Sequence, residues 1–205
     1  MIIMSSIKLQ RWECVKVLNK KIVALCKKEN KVHMLRGKDV DWLGNCVGYY
    51  PQIDMPEFTE KTFCTAFDIT PKAAGKIQFD FAGKIPEGYD FSDCTEDEVE
   101  CYYHEDMAIQ YGGRVLMPVR TSDGITYLDK AYLAPVANDD LLHIFERHSE
   151  SGVLYFAVKI GFMVTAIIMP YNAITEDFGK SLSLLAELTA VKLENMKNAK
   201  QHEKQ

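Results

Sequence analysis

The period of the apolar positions changes several times along the chain, and each change marks a predicted element. Leu9, Trp12, Val15 and Leu18 recur at three-residue spacing, with Lys8, Arg11, Lys16 and Lys20 toward the other side. This pattern predicts an amphipathic helix over residues 6–20, with Ser5 or Ser6 as its cap. The stripe can be followed through Ile22 and Leu25. The run Ile22-Val23-Ala24-Leu25-Cys26 is continuously apolar and partly β-branched, however, and predicts a strand. Lys27-Lys28-Glu29-Asn30 then turns the chain into a return strand, Lys31–Leu35, closing a hairpin. Val40–Val47 adds a further strand interrupted at Gly44-Asn45.

Pro51 and Pro56 mark a loop, and Thr59-Glu60-Lys61-Thr62 starts a helix carrying Phe63, Ala66 and Phe67, which Pro71 ends. Ile77, Phe79 and Phe81 alternate with Gln78, Asp80 and Ala82, as in a half-buried strand. An acidic loop follows over residues 86–97. Strands are predicted at Val99–Tyr103, Met107–Tyr111, Arg114–Val119 and Ile125–Tyr127, with turns at Gly112-Gly113 and Ser122-Asp123-Gly124. Asp129–His148 reads as a helix interrupted at Pro135. Val153–Ile160 and Phe162–Met169 are near-continuously apolar and predict central strands buried on both faces, joined at Gly161. A last helix opens at Thr175-Glu176-Asp177, with Leu182, Leu185, Ala186, Leu188 and Leu193 as its core-packed stripe.

An internal echo suggests duplication. Val115-Leu116-Met117-Pro118-Val119 resembles Ile167-Ile168-Met169-Pro170-Tyr171, each ending a strand ahead of a helix. The helix and hairpin of residues 6–35 also resemble those of residues 129–169. The fold class expected is α+β: an antiparallel sheet with helices on one face, built from two related units. The 205 residues form one globular unit, divisible at 1–119 and 120–205.

Charge changes this picture more than composition does. The net charge is −5, yet residues 1–38 hold ten Lys or Arg against Glu13 and Glu29, leaving +8 there and −13 in the rest. Between Lys84 and Arg114 nine acids occur with no Lys or Arg. This asymmetry suits a basic face for an anionic partner and an acidic face for a basic one. No apolar run is long enough to cross a bilayer, and the first residues do not form a signal peptide. A cytoplasmic protein with reduced, mostly buried cysteines and no membrane association is expected.

Candidate chemistry is sparse. Phosphate-loop, dinucleotide-binding, nucleophile-elbow and zinc-protease motifs are absent. Cys94, Cys101 and His104 lack the close pairs of a zinc site, and His143 and His148 lie five apart. His104 and Asp106 would share one side of a strand, where they could bind a divalent ion in a small metal-assisted hydrolase. The basic residues Lys8, Arg11, Lys16 and Lys20 can instead neutralise phosphates, with Trp12, Trp42, Tyr49 and Tyr50 available to stack on bases. A pure protein-interaction domain using the acidic loop is the third reading.

Lys31-Val32-His33-Met34-Leu35, Gly152–Ile160 and Thr165-Ala166-Ile167-Ile168-Met169-Pro170 resemble a DNA sliding-clamp half-domain over about half the chain. The last segment is similar to the closing strand of bacterial clamps. In that family, paired helix-and-strand units make antiparallel sheets outside a ring whose helices face DNA. The resemblance implies a non-catalytic binding module without cofactor or metal, acting in nucleic-acid or mobile-element biology, in a bacteriophage for example. A protein partner, nucleic acid and a homo-oligomer are the associations it implies. The chain is much shorter than a clamp subunit, and no family residue roles carry over.

Overall fold

A computed structural model describes residues 19–52, 56–104, 106–136 and 141–171, and most of 178–192. The chain divides into two compact units, residues 1–170 and 171–205. The first unit is α+β, with an eight-stranded mixed sheet and a four-stranded antiparallel sheet.

Residues 19–29 are helical (α1). They are followed by an antiparallel meander: β1 (Lys31–Arg36), β2 (Asp41–Gly44) and β3 (Gly48–Gln52). The strand expected at 22–26 is therefore part of a helix. Asn19, Ile22, Val23 and Cys26 are buried, a spacing of three, four and seven residues that one helix face provides. Local β-branching lost to the amphipathic stripe. The helix expected over residues 6–18 lies outside the described residues.

The short helix α2 (Glu60–Ala66) begins where the sequence implies. The Thr59 hydroxyl accepts the Thr62 N–H, and the Thr62 hydroxyl accepts the Thr59 N–H. Phe63 is fully buried, its ring 5.2 Å from Phe58, 4.6 Å from Phe67 and 5.4 Å from Phe81. Pro71 opens a second helix rather than ending the first: it is the first residue of α3 (Pro71–Ala74), where its missing N–H costs nothing. β4 (Gln78–Lys84) then runs parallel to β1, the one parallel pairing of its sheet.

The strand expected at Val99–Tyr103 is divided between the two sheets. β5 (Val99–Glu100) pairs with the large sheet, and β6 (Tyr102–Tyr103) with the small one. Buried Cys101 lies between them, its N–H on the carbonyl of Ile144 at 2.8 Å. β7 (Ile109–Tyr111), β8 (Arg114–Thr121) and β9 (Gly124–Asp129) complete the small sheet. Gly112 and Gly113 turn β7 into β8 with φ of 56° and 75°, as a two-residue hairpin turn requires.

The helix expected at 129–148 is a single 3-10 turn, Lys130–Tyr132, followed after the undescribed residues 137–140 by β10 (Leu142–His148). Leu142, Ile144 and Phe145 can serve helix or strand by pattern alone. Hydrogen bonding to β5 on one side and β11 (Leu154–Ile160) on the other fixes them as a strand. β11 and β12 (Met163–Ile168) are the central buried hairpin the sequence predicts, turning at Gly161.

The large sheet is ordered β4-β1-β2-β3-β12-β11-β10-β5. Two antiparallel meanders, β1–β3 and β10–β12, thus meet through their last strands, with Ile167 opposite Tyr49 and Ile168 opposite Gly48. Each meander follows a helical segment. Val115–Val119 lies within β8, which leads into β9 rather than a helix, so the expected match with residues 167–171 does not hold there.

Both faces of this sheet are buried. Met34, Leu43, Tyr50, Phe156, Val158 and Ile168 pack with α1, α2 and the small sheet. Leu35, Trp42, Tyr49, Tyr155, Ala157 and Ile167 pack on the other face beneath Phe91. A bulge at Thr165 sends Val164 to the second face and Ala166 to the first. In the second unit, the described part of residues 178–192 is helical. Leu185 and Leu188 are 60% and 61% exposed there.

Thr59→Ala should destabilise the protein by about 1 kcal/mol through loss of the cap. Phe63→Ala should cost about 3–5 kcal/mol, because it leaves a void among four aromatic rings. Equilibrium denaturation of the two variants measures both.

Candidate nucleic-acid interface

Helix geometry sets the lysines of α1 in two rows. Lys20 and Lys27 are seven residues apart, as are Lys21 and Lys28, so each pair shares nearly one azimuth about 10 Å apart along the axis. Lys20, Lys21 and Lys28 are exposed and Lys27 is half-buried. Lys21 donates to the carbonyl of Ala134 at 2.9 Å, beside the 3-10 turn. Lys27 donates to the carbonyl of Phe67 at 3.3 Å.

The one acid of the helix is neutralised. Glu29 accepts from Arg114 at 2.8 Å, and Arg114 also donates to buried Asp129 at 2.8 Å. The hydrogen bond with Asp129, reinforced by Glu29, raises the Arg114 pKa further and keeps the guanidinium charged. Lys27 also lines a shallow cleft of about 280 Å³ with Asn30, Thr70, Lys72 and Lys76. Lys72 and Lys76 join the basic surface only through tertiary structure, and their spacing in the sequence gives no sign of it.

Of the residues predicted to contact nucleic acid, Lys20 is on this surface. Lys8, Arg11 and Lys16 lie outside the described residues. Trp42, Tyr49 and Tyr50 are 5%, 5% and 1% exposed, so they are core residues and unavailable for stacking on bases. Alternation along β2 and β3 turns them into the two cores.

The acidic segment sits on the opposite face of the sheet from α1. Its aromatic anchor Phe91 lies 5.1 Å from the Trp42 ring and 6.0 Å from that of Tyr49. The segment is held by Glu98, which bridges two nearly inaccessible cations. Arg147 Nε reaches Glu98 Oε2 at 3.0 Å, and Lys159 Nζ reaches Glu98 Oε1. Arg147 also donates to the carbonyls of Asp90 at 3.1 Å and Ser92 at 2.8 Å. Lys159 lies 4.6 Å over the Phe145 ring. Burial alone pushes the Glu98 carboxyl up. Hydrogen bonds and charge from Lys159 and Arg147 outweigh it and hold the group below the usual carboxylate range.

The other candidates are dispersed. The His104 Nδ1 accepts the Asp106 N–H at 3.3 Å, so this pair makes a local turn contact. No group of three metal-ligating side chains occurs among the described residues. Cys94 is exposed whereas Cys101 is buried, and both are free thiols. His143 binds Glu100 at 2.6 Å, and His148 lies 3.6 Å from Asp123. No described helix is long and apolar enough to cross a membrane.

Glu98→Gln should cost about 3 kcal/mol or more, since it strands Arg147 and Lys159 without their anion. Because the folded state lowers the Glu98 pKa, its stabilisation is complete above the unfolded value of about 4.3. That stabilisation is lost as pH falls through the lowered folded value. Denaturation midpoints against pH should therefore fall less on acidification in Glu98→Gln than in the parent.

Comparison with known proteins adds no name to this geometry: no family model, curated protein or solved structure matches the chain.

Proposed function

We propose that the protein is a non-catalytic, clamp-like nucleic-acid-binding module that contacts the phosphate backbone through the lysine face of α1. The observation that carries this reading is the separation of charge across the large sheet. Lys20, Lys21 and Lys28 stand exposed on the helix side. Phe91 anchors the acidic segment on the other face. The acidic face repels a polyanion and the lysine face attracts it, so the field orients the encounter although the chain as a whole is acidic.

The resemblance to a sliding-clamp half-domain supports the same reading. In that family paired helix-and-strand units put the sheet outside and the helices toward DNA. Two meanders, each led by a helical segment on one face of the sheet, support that comparison. With the nearby aromatic residues committed to the core, contacts are to phosphate and carry no base sequence.

Fluorescence anisotropy with a duplex oligonucleotide tests the proposal. Affinity should fall steeply with salt. Lys20→Gln with Lys28→Gln, whose side chains make no hydrogen bond among the described residues, should reduce the slope of log K against log salt by about 2. Absence of binding at low salt, or a slope unchanged in the double variant, sinks the proposal.

A further inference from the structure

The turn between β2 and β3 presents a thiol to a histidine. Cys46 is exposed and sits at φ 73°, a conformation that non-glycine residues rarely adopt. The turn is held by Asn45, which is 3% exposed. Its side-chain oxygen accepts the N–H groups of Val47 and Gly48, both at 3.2 Å. Its amide donates to the Leu25 carbonyl at 3.2 Å and the Tyr132 hydroxyl at 3.0 Å. Thus fixed, Cys46 places Sγ 3.2 Å from His33 Nδ1, and the Tyr49 hydroxyl lies 3.3 Å from the same nitrogen.

We infer that Cys46, His33 and Tyr49 form a reactive thiol site that undergoes exchange with low-molecular-weight disulfides. His33 Nδ1 takes the Cys46 proton, and the thiolate attacks one sulfur of the disulfide. A new S–S bond forms at Cys46 as the old one breaks, and the departing thiolate takes the proton from His33. One thiol and one disulfide are consumed and one of each is formed.

The surroundings suit these roles. Burial and the nearby charge of Lys31 lower the His33 pKa, partly countered by Asp80 across the β1–β4 pairing. The imidazole is therefore neutral and able to accept a proton at neutral pH. Burial, and then the proximity of Cys46, raise the Tyr49 pKa, so the phenol stays protonated as a donor to the thiolate. Asp80 accepts the Ala82 N–H at 3.1 Å and makes no hydrogen bond to the histidine. An exchange site needs an accessible sulfur and a base, not a substrate pocket. The remaining free cysteines contrast with it. Burial pushes Cys26 and Cys101 up to about 12 and also raises half-buried Cys64, and exposed Cys94 has no histidine partner among the described residues.

This inference is independent of nucleic-acid binding. The full-length protein is treated with glutathione disulfide, and mixed-disulfide formation at each cysteine is timed by peptide mass spectrometry. Cys46 should react at least about tenfold faster than Cys94, which is also exposed, as a paired base accelerates thiolate formation. His33→Gln should bring Cys46 to the Cys94 rate, and Tyr49→Phe, which keeps the packing, should slow it. Equal rates at Cys46 and Cys94 in the parent protein overturn the proposal without need of any variant. A Cys46 rate unchanged in a folded His33→Gln protein overturns it as well.

Discussion

The far face of the large sheet depends on a single carboxylate. Glu98 lies between Arg147 and Lys159, which are 2% and 3% exposed and could not be buried without an anion. Arg147 spends its remaining donors on backbone carbonyls of the segment that carries Phe91. A sheet buried on both faces needs two covers. Helices and a second sheet supply one. The other is an irregular, acidic stretch of chain that has few regular hydrogen bonds of its own, so ion pairing fixes it where helical packing cannot.

That solution separates the charges. Glu98 stays with the acidic segment, where it meets Arg147 and Lys159, and the lysines stay on α1, whose apolar stripe faces the other core. Net charge alone argues against a polyanionic partner. The distribution of charge argues for one, because a ligand within a Debye length responds to the nearest face. The two meanders joined through β3 and β12 give this polarity a symmetric frame, with α1 and the Lys130–Tyr132 turn on the same side. Asn45, Tyr50 and Tyr132 tie the halves together: Tyr50 donates to the Tyr132 carbonyl at 2.6 Å and Asn45 to its hydroxyl.

Much of this was legible in the sequence. The α+β class, the Thr59 cap, the alternation before Lys84, the Gly112-Gly113 turn and the buried hairpin at Gly161 all follow from local rules. Two segments were misread for one reason. Ile22–Cys26 and Leu142–Phe145 are short apolar runs that suit either period, and only tertiary partners decide between them. The basic surface was legible at Lys20. Lys72 and Lys76 are brought to it by folding. The pairing of His33 with Cys46 was equally hidden, although the register of the β1–β2 hairpin places Gly44 opposite His33 and so carries the chain back past the histidine. The short match of residues 115–119 with 167–171 misleads in the same way, since β8 runs into β9 and not into a helix.

The central claim is that one face of the sheet, and not the protein as a whole, meets nucleic acid. Lysine-selective acetylation, read by mass spectrometry with and without a duplex oligonucleotide at low salt, addresses each lysine separately. The account predicts protection of Lys20, Lys21 and Lys28, with Lys38 and Lys84 modified equally in both conditions. Protection spread evenly over all lysines, or confined to Lys38 and Lys84, would contradict it.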